Sequence, residues 1–509
     1  MKNDHLIHIQ FSPDRGLQEQ IREHLLAKIN EGAFSNKALP SCRKLASMLR
    51  VSRNTVTLVY DRLVDEGYLL AHQRSGYYAN PRTDILSAEV NDIAPNYCTR
   101  TAQFWRKRLA LETGSMRNIE KPKNWQHYPY PFIFGQPDHT LFPLSHWREC
   151  CRLAQRASVI KDWISDSIDS DDPMLINQLQ TNVLRKRGIQ ARPEQILITI
   201  GTQNSLYLLA NLLATNGVRV GIEDPGYPDA RNIFHSQGAS IQPLAIDQQG
   251  VVINEQLRHC DYVYTTPSHQ VPTNITMSME RREELLAAAE RDDFVIIEDD
   301  YDSEVNVTQQ PHPSLKSLDN HGRVVYVGSL SKSLSPGLRV GFMVADESLI
   351  TAARQLRRLM YRHPPANNQR TCALFISMGY YDTYLRKLRA HYTEKWQTMR
   401  RSIETYLPQC ITNDTLGGSA FWLKLPDGIE SASLQAAARE KGILVESGDV
   451  HFCLHKNSSH HASNHYIRLG FSAIHHDKIE TGIKKLADVF NSLQSCTAAT
   501  SKGIAVPTN

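Results

Sequence analysis

The residue types best able to do chemistry stand together in Val324-Val325-Tyr326-Val327-Gly328-Ser329-Leu330-Ser331-Lys332, which continues through Ser333-Leu334-Ser335-Pro336-Gly337-Leu338-Arg339. The apolar run predicts a buried strand. It breaks into hydroxyl residues around one lysine. Moving an ammonium out of water favours its neutral form, so a lysine at a buried strand end can have its pKa pushed down. A neutral amine attacks a carbonyl carbon. Ser329, Ser331 and Arg339 are donors suited to a phosphate. An isolated Ser-x-Ser-Lys is more often a plain loop lysine, so the other strand ends decide its meaning.

From about residue 126, apolar strands alternate with helical stretches, the pattern of a parallel sheet covered by helices. In such folds ligands sit at the carboxyl ends of the strands. Gln195–Ile200 reads as a strand followed by Gly201-Thr202-Gln203-Asn204-Ser205, where a glycine turn and a helix N-terminus would meet an anion. Arg219–Glu223 is followed by Asp224-Pro225-Gly226-Tyr227-Pro228, a rigid turn whose Tyr227 could lie on a flat ring. Asp261–Thr265 leads to Thr266-Pro267-Ser268-His269-Gln270, where His269 or Gln270 could hydrogen-bond a ring substituent. Phe294–Ile297 ends in Glu298-Asp299-Asp300-Tyr301-Asp302. So many carboxylates need partners, and a protonated pyridine nitrogen is one. An aldehyde, a phosphate and a pyridine describe pyridoxal 5′-phosphate (PLP), with Lys332 as its Schiff-base lysine.

The first eighty residues read differently. Leu17, Ile21, Leu25 and Ile29 have helix spacing. Pro40 and Ser41 start a second helix with Leu45, Met48 and Leu49 inside. Ser52 caps a third, with Val56, Val59, Tyr60 and Leu63 inside and Gly67 as its stop. Two short helices around a tight turn read as helix-turn-helix. The outward face opening the third helix carries Arg53, Asn54, Thr55 and Thr57, suited to base edges, while Ser41 and Ser52 suit phosphates. Tyr68 to Tyr78 reads as a hairpin turning at Arg74-Ser75-Gly76, a wing. A three-helix packing module with a solvated polar face is the bland alternative.

Bulk properties set bounds. A chain of 509 residues implies two or more domains. The net charge of +4 by itself implies no partner, but residues 1–80 hold eleven Lys/Arg against eight Asp/Glu, a mild basic bias. The N-terminus lacks a signal-peptide pattern, and no apolar run approaches a membrane span. Nine scattered cysteines without Cys-x-x-Cys fit free thiols in a reducing cytoplasm. His451, Cys453, His455, His460, His461 and His465 match no zinc spacing, so no metal site is expected. Residues 80–125 read as a polar, proline-containing linker, with one short helix between Arg100 and Leu111. Residues 495–509 read as a disordered tail.

Residues 11–79 resemble the winged helix of GntR-type transcription regulators through Leu39-Pro40-Ser41, Arg43, Leu45-Ala46, Val51-Ser52-Arg53, Thr55-Val56, Tyr60, Leu63, Glu66-Gly67-Tyr68 and Ser75-Gly76. That resemblance implies Arg43, Arg53, Thr55 and Gly76 at the DNA. Residues 126–494 resemble fold-type I PLP proteins of the aminotransferase class. The combination resembles the MocR subfamily, closely along Glu223–Pro228, Thr266–Gln270, Glu298–Glu304, Ser331–Leu334, Phe134–Asp138 and Leu141–Pro143. The implied fold class is a multidomain α+β chain, a winged helix-turn-helix plus a large α/β aminotransferase-like domain. The resemblance implies that Lys332 forms the Schiff base, Asp299 pairs with the pyridine nitrogen, Tyr301 bonds the ring hydroxyl and Tyr227 stacks. It implies Gly201, Thr202, Gln203, Ser329 and Arg339 around the phosphate, Gln270 near the ring hydroxyl, and Arg468 on an effector carboxylate. It further implies a homodimer, an operator of double-stranded DNA, and an amino compound or PLP as effector. An aminotransferase with an accessory DNA-binding domain is the alternative. Ser170-Asp171-Asp172-Pro173 departs from the Tyr-Gly-Asp-Pro usual in the family, and Gln180 replaces an expected arginine, which argues against efficient turnover.

Overall fold

The computed structural model describes residues 9, 11–34, 38–72, 75–80, 104–109, 113–303, 312–330, 332–412, 417–453 and 463–502. The chain divides into two compact units, Met1–Glu112 and Thr113–Asn509. No helix among the described residues is long and apolar enough to cross a membrane.

In the first unit, α1 (Leu17–Asn30), α2 (Cys42–Leu49) and α3 (Arg53–Asp65) precede β1 (Leu69–His72) and β2 (Gly76–Ala79). The apolar faces named from spacing close on one core: Ile21, Leu25, Ile29, Leu45, Leu49, Val56, Val59, Tyr60 and Leu63 are all buried. Ser41 and Ser52 accept hydrogen bonds from the backbone N–H of Lys44 and Thr55, capping α2 and α3. Between them Arg50 takes the left-handed conformation (φ 55°) that ends α2. The Tyr60 hydroxyl donates to the Pro40 carbonyl at 2.8 Å, tying the third helix to the start of the second. The antiparallel pair β1–β2 is the expected hairpin, with Gly76 at φ 107° opening β2. Gln73 and Arg74 lie outside the described residues.

The second unit is built on an eight-stranded sheet. Its strands are β4 (Ile196–Thr199), β5 (Arg219–Asp224), β6 (Ser240–Asp247), β7 (Gly250–Val251), β8 (Tyr262–Thr265), β9 (Val295–Asp299), β10 (Val324–Ser329) and β11 (Gly341–Val344). Their order is β4-β11-β10-β9-β8-β5-β6-β7. Strands β10, β9, β8, β5 and β6 pair in parallel, whereas β11 runs antiparallel to both β10 and β4. Every residue of β10 is buried, as a strand covered on both faces requires. The carboxyl ends of β4, β5, β8, β9 and β10 therefore open on one edge. A smaller four-stranded sheet holds β12 (Ile411–Thr412), β13 (Ala420–Lys424), β15 (Glu446–Ser447) and β16 (Tyr466–Gly470) in the order β12-β13-β16-β15. A short parallel pair, β3 (Tyr130–Pro131) with β14 (Ile443–Leu444), precedes the Phe134 turn.

Two boundaries differ from expectation. The segment 113–125 belongs to the large unit and is fastened there: Arg117 donates to Asp449 at 2.7 Å, and Asn232 donates to the Arg117 carbonyl at 3.0 Å. Linker composition conceals those specific polar contacts. Within the expected linker helix, residues 104–106 form a helical turn, while 100–103 and 110–111 lie outside the described residues. The expected disordered tail instead begins as helix, since Ile479–Lys502 is one continuous element, with 503–509 outside the described residues. The tail continues an amphipathic helix whose Ile479, Ile483, Leu486 and Phe490 are buried, and that packing stabilises the helix.

Candidate cofactor pocket and nucleic-acid face

A cavity of about 310 Å³ opens where the strands end, the lower size range of small-molecule sites. Its walls include Lys332, Asp299, Tyr301, Tyr227, Thr202, Gln203, Ser329, Arg339 and Arg468, residues drawn from five strand ends and from the smaller sheet. Ser331 lies outside the described residues.

Lys332 follows β10, and its Nζ lies 4.6 Å from the centre of the Phe134 ring. Burial, with Lys121 nearby, lowers its pKa to about 8. A Cβ on Gly135 would stand 2.5 Å from Lys332 Nζ, so the amine uses the room that glycine leaves. Arg339 adopts φ 52° and packs its guanidinium against Gly201, where a Cβ would meet Nη2 at 2.8 Å. Thr202 and Gln203 open the helix Thr202–Leu213, whose first N–H groups have no helical partner. That end, Arg339 and Ser329 form a cationic, donor-rich corner of the kind a phosphate needs.

The acidic run separates into individual roles. Glu298 accepts the N–H groups of Leu315 and Lys316, each at 2.8 Å. Asp300 receives Arg187 at 2.7 Å, Ser268 at 2.5 Å and Tyr326 at 2.7 Å. Asp302 receives Ser419 at 3.3 Å. Only Asp299 of these carboxylates lines the cavity. Its Oδ2 accepts from Tyr264 at 2.8 Å, and its Oδ1 is buried without a partner. Burial raises the Asp299 pKa to about 7, opposed by the Tyr264 bond. An orphaned acceptor in such a place fits a ring N–H, which would hold the carboxylate ionised.

Arg468 is fully buried on β16, and its Nε, Nη1 and Nη2 all lack partners. Its guanidinium stacks 3.5 Å from the centre of the Phe134 ring. That fork matches a carboxylate. Tyr301 lines the same wall and donates to the His269 carbonyl at 3.0 Å. The Tyr227 hydroxyl donates to Asp229 at 3.0 Å, which fixes the ring over the cavity. Gln203 also donates to Asp229.

Gln270 is not part of this wall. It is fully buried, and its amide N–H groups go to Glu223 Oε2 at 3.2 Å and to the carbonyls of Pro225 and Val271 at 2.8 and 2.6 Å. Its Oε1 accepts from Thr273. The side chain pins the turn after β8, and Val271 faces the cavity instead. Both ring nitrogens of His269 are buried without a partner, and burial lowers its pKa to about 4. His451 and His465 each engage a backbone carbonyl, of Gly226 and Ile429, while 454–462 lie outside the described residues.

In the first unit Arg53, Asn54, Ser41 and Arg43 are exposed around the start of α3 and α2, and Gly76 is exposed on the wing. Thr55 and Thr57 are half-buried: Thr55 bonds Ser52 Oγ at 2.8 Å and Thr57 donates to the Arg53 carbonyl at 3.0 Å.

The comparisons with known proteins match these two descriptions. Residues 17–78 match the bacterial regulatory proteins of the gntR family, and residues 165–486 match aminotransferase class I and II. The chain is 39% identical over 472 residues to the HTH-type transcriptional regulator TauR of Rhodobacter capsulatus, covering 92% of this chain and 96% of that protein. It is 30% identical over 491 residues to the probable rhizopine catabolism regulatory protein MocR of Rhizobium meliloti, covering 95% and 96%. The chain belongs to the MocR-type regulators of the GntR family.

As in that family, a fold-type I aminotransferase-like domain follows the reader. It resembles an archaeal alanine:glyoxylate aminotransferase with TM-score 0.69 and 26% identity over 76% of this chain and 99% of the other. It also resembles the kynurenine aminotransferase of Pyrococcus horikoshii, with TM-score 0.69 and 25% identity. The cofactor of this MocR-type chain is PLP, and the protein is a DNA-binding transcription regulator.

The structure adds residues that sequence reading missed. Tyr264 holds Asp299, and its signal was hidden in the alternation of a strand. Lys121 reaches the cavity from the expected linker, where nothing in the pattern marks it. The two departures prove structural. Asp171 receives Arg357 at 2.6 Å and Arg354 at 2.8 Å, Asp172 receives Arg370 at 2.7 Å, and Gln180 donates to the Ala191 carbonyl at 2.7 Å.

Proposed function

We propose that this regulator works in the cytoplasm as a homodimer whose pocket, loaded with PLP, senses a small amino compound or PLP itself and thereby biases operator binding. The observation that carries the reading is the set of unmet buried groups around Lys332: Asp299 Oδ1 and all three nitrogens of Arg468. A buried donor or acceptor left unpaired costs about 1–3 kcal/mol, more when charged, and a ligand that pairs it recovers that cost. One pocket therefore asks for a ring N–H at one wall and an anion at another.

When bound, PLP supplies a protonated pyridine ring that acts as an electron sink. The chain's own residues do the rest. Lys332 offers an amine that gives up its proton near neutral pH. Asp299 would hold a proton at the ring nitrogen, Tyr227 would cover one ring face, and Tyr301 would reach the ring hydroxyl. Gly201, Thr202, Gln203, Ser329 and Arg339 would hold the phosphate. Arg468 would fork onto the effector's carboxylate. In the reader, Arg53, Asn54, Thr55 and Thr57 would face base edges, with Ser41, Arg43, Ser52 and Gly76 at the backbone. Two readers in a homodimer would meet two half-sites. The coupling between pocket and reader would be about 1–3 kcal/mol.

The test is a titration of the PLP-loaded protein with amino compounds, following the cofactor's absorption and operator affinity in parallel. Both should shift at the same concentration. An absorption change with constant operator affinity at every compound would overturn the reading. The likeness of the large domain to solved aminotransferases supports a second reading, an aminotransferase with an accessory DNA module, and turnover of an amino acid with a keto acid at roughly 1 s⁻¹ or faster would establish it.

A further inference from the structure

We infer that Lys121 is a second anchor for the anionic group of the sensed amino compound, so that with Arg468 it makes the pocket favour amines bearing a strongly charged anion. The inference rests on the sensing reading above and deepens it.

The cavity walls carry four cations, Lys121, Lys332, Arg339 and Arg468, against two carboxylates, Asp229 and Asp299. Two of the cations and both carboxylates have assigned or observed partners away from the effector side. Lys332 and Arg339 face the cofactor's aldehyde and phosphate positions. Asp229 is taken by Tyr227 and Gln203, and Asp299 by Tyr264 and the ring. Lys121 and Arg468 remain for whatever lies beyond the ring.

Lys121 is poorly satisfied where it stands. Its ammonium has three donors. One goes to the Phe134 carbonyl. Glu446 Oε1 lies at 3.9 Å, and that oxygen already accepts the Phe134 N–H at 3.0 Å. Burial, with Arg468 close by, lowers the Lys121 pKa against the pull of Glu446. A Cβ on Gly135 would stand 3.9 Å from Lys121 Nζ and 2.5 Å from Lys332 Nζ, so both amines lie beside that glycine. The anionic group of an amine that takes the place of Lys332 on the cofactor would meet Lys121 as well as Arg468.

The side chain is also held in register. Arg117 donates to Asp449 at 2.7 Å and to the Phe452 carbonyl at 3.3 Å. Asn232 donates to Asn118 Oδ1 at 2.9 Å. This latch fixes the backbone that carries Ile119 and Lys121 into the wall. Preorganised charge binds an anion with little reorganisation cost.

The experiment uses the full-length, PLP-loaded protein and three probes that share a short primary amine: 2-aminoethylphosphonate, β-alanine and n-propylamine. The apparent Kd of each is read from the cofactor's absorption. Lys121→Met should raise the Kd of the phosphonate by about tenfold and that of β-alanine by about threefold, while n-propylamine keeps its value. Lys121→Arg should restore most of the anion preference. Lys121→Gln, which keeps a donor without the charge, should resemble Lys121→Met and replaces it if the methionine variant does not fold. Equal Kd values in wild type and variant for both anionic probes would overturn the inference, as would equal weakening of all three probes, which would place Lys121 on the amine chemistry instead. If no probe moves the wild-type absorption, the sensing reading falls and this inference with it. If the wild type responds and the variant matches it, Lys121 alone is misassigned.

Discussion

The two units present their working groups in opposite ways. In the reader, the polar side chains aimed outward from α3 are exposed or bonded to their own helix: Thr55 to Ser52, Thr57 to the Arg53 carbonyl. Water satisfies what the helix does not. In the pocket, Asp299 Oδ1 and the Arg468 guanidinium are sealed from water with no partner. The first unit can wait for its partner at little cost. The second keeps polar groups out of water that only a ligand can pair, and burial raises the pKa of Asp299 there. An unmet buried atom therefore marks a small-molecule site more sharply than exposure marks a DNA face.

That contrast can be broken most directly at Lys332. Lys332→Ala should abolish the cofactor's band near the visible edge while leaving the melting of the reader unchanged; a persisting band would refute the lysine assignment. The pH dependence comes next. Lys332 is protonated below about 8 and Asp299 below about 7. Lys332 must release its proton to attack an aldehyde, whereas the Asp299 proton can pass to the ring nitrogen, so PLP affinity should rise with pH up to about 8. It should fall by up to roughly tenfold for each unit below. A PLP affinity flat between these values would contradict it. Reader binding, measured on operator DNA at constant salt, should show no such step.

Asp299→Ala should weaken PLP by about 3 kcal/mol, roughly a hundredfold, because it leaves a ring cation without its buried partner. Fluorescence titration of the apo-protein measures this. Arg53→Ala should lower operator affinity by about tenfold, the value of one base contact, with the absorption band untouched; unchanged binding would mean that α3 meets DNA in another register. The smallest effect is expected for Ser52→Ala. Loss of the cap on α3 should lower the stability of the reader by about 1 kcal/mol, seen as an earlier first melting transition. An unchanged first transition would show that the cap contributes nothing there.

Much of this was readable beforehand. The inner faces of α1, α2 and α3 followed from 3.6-residue spacing, and the caps at Ser41 and Ser52 from residue type. The strands before Gly201, Tyr227, Asp299 and Lys332 followed from apolar runs bounded by glycine, proline and charge. Gln270 shows where such reading stops. An amide next to a strand end can serve a ligand or the scaffold equally well, and in the folded chain Gln270 lies among the scaffold carbonyls of Pro225 and Val271. Lys121 shows the converse, since a lysine in a polar stretch carries no sign of burial.

Local sequence thus settled which segments become helix or strand, which face of each turns inward, and the order of chemical groups along the chain. These depend on periodicity and on nearest-neighbour chemistry, which are written residue by residue. Tertiary structure alone decided which of four carboxylates in one run faces the cavity, that Tyr264 holds it, that Gln270 turns away, and that a lysine far upstream joins Lys332 and Arg468. Those outcomes depend on distances between segments far apart in the chain, and on which polar atoms find partners first when the strands close.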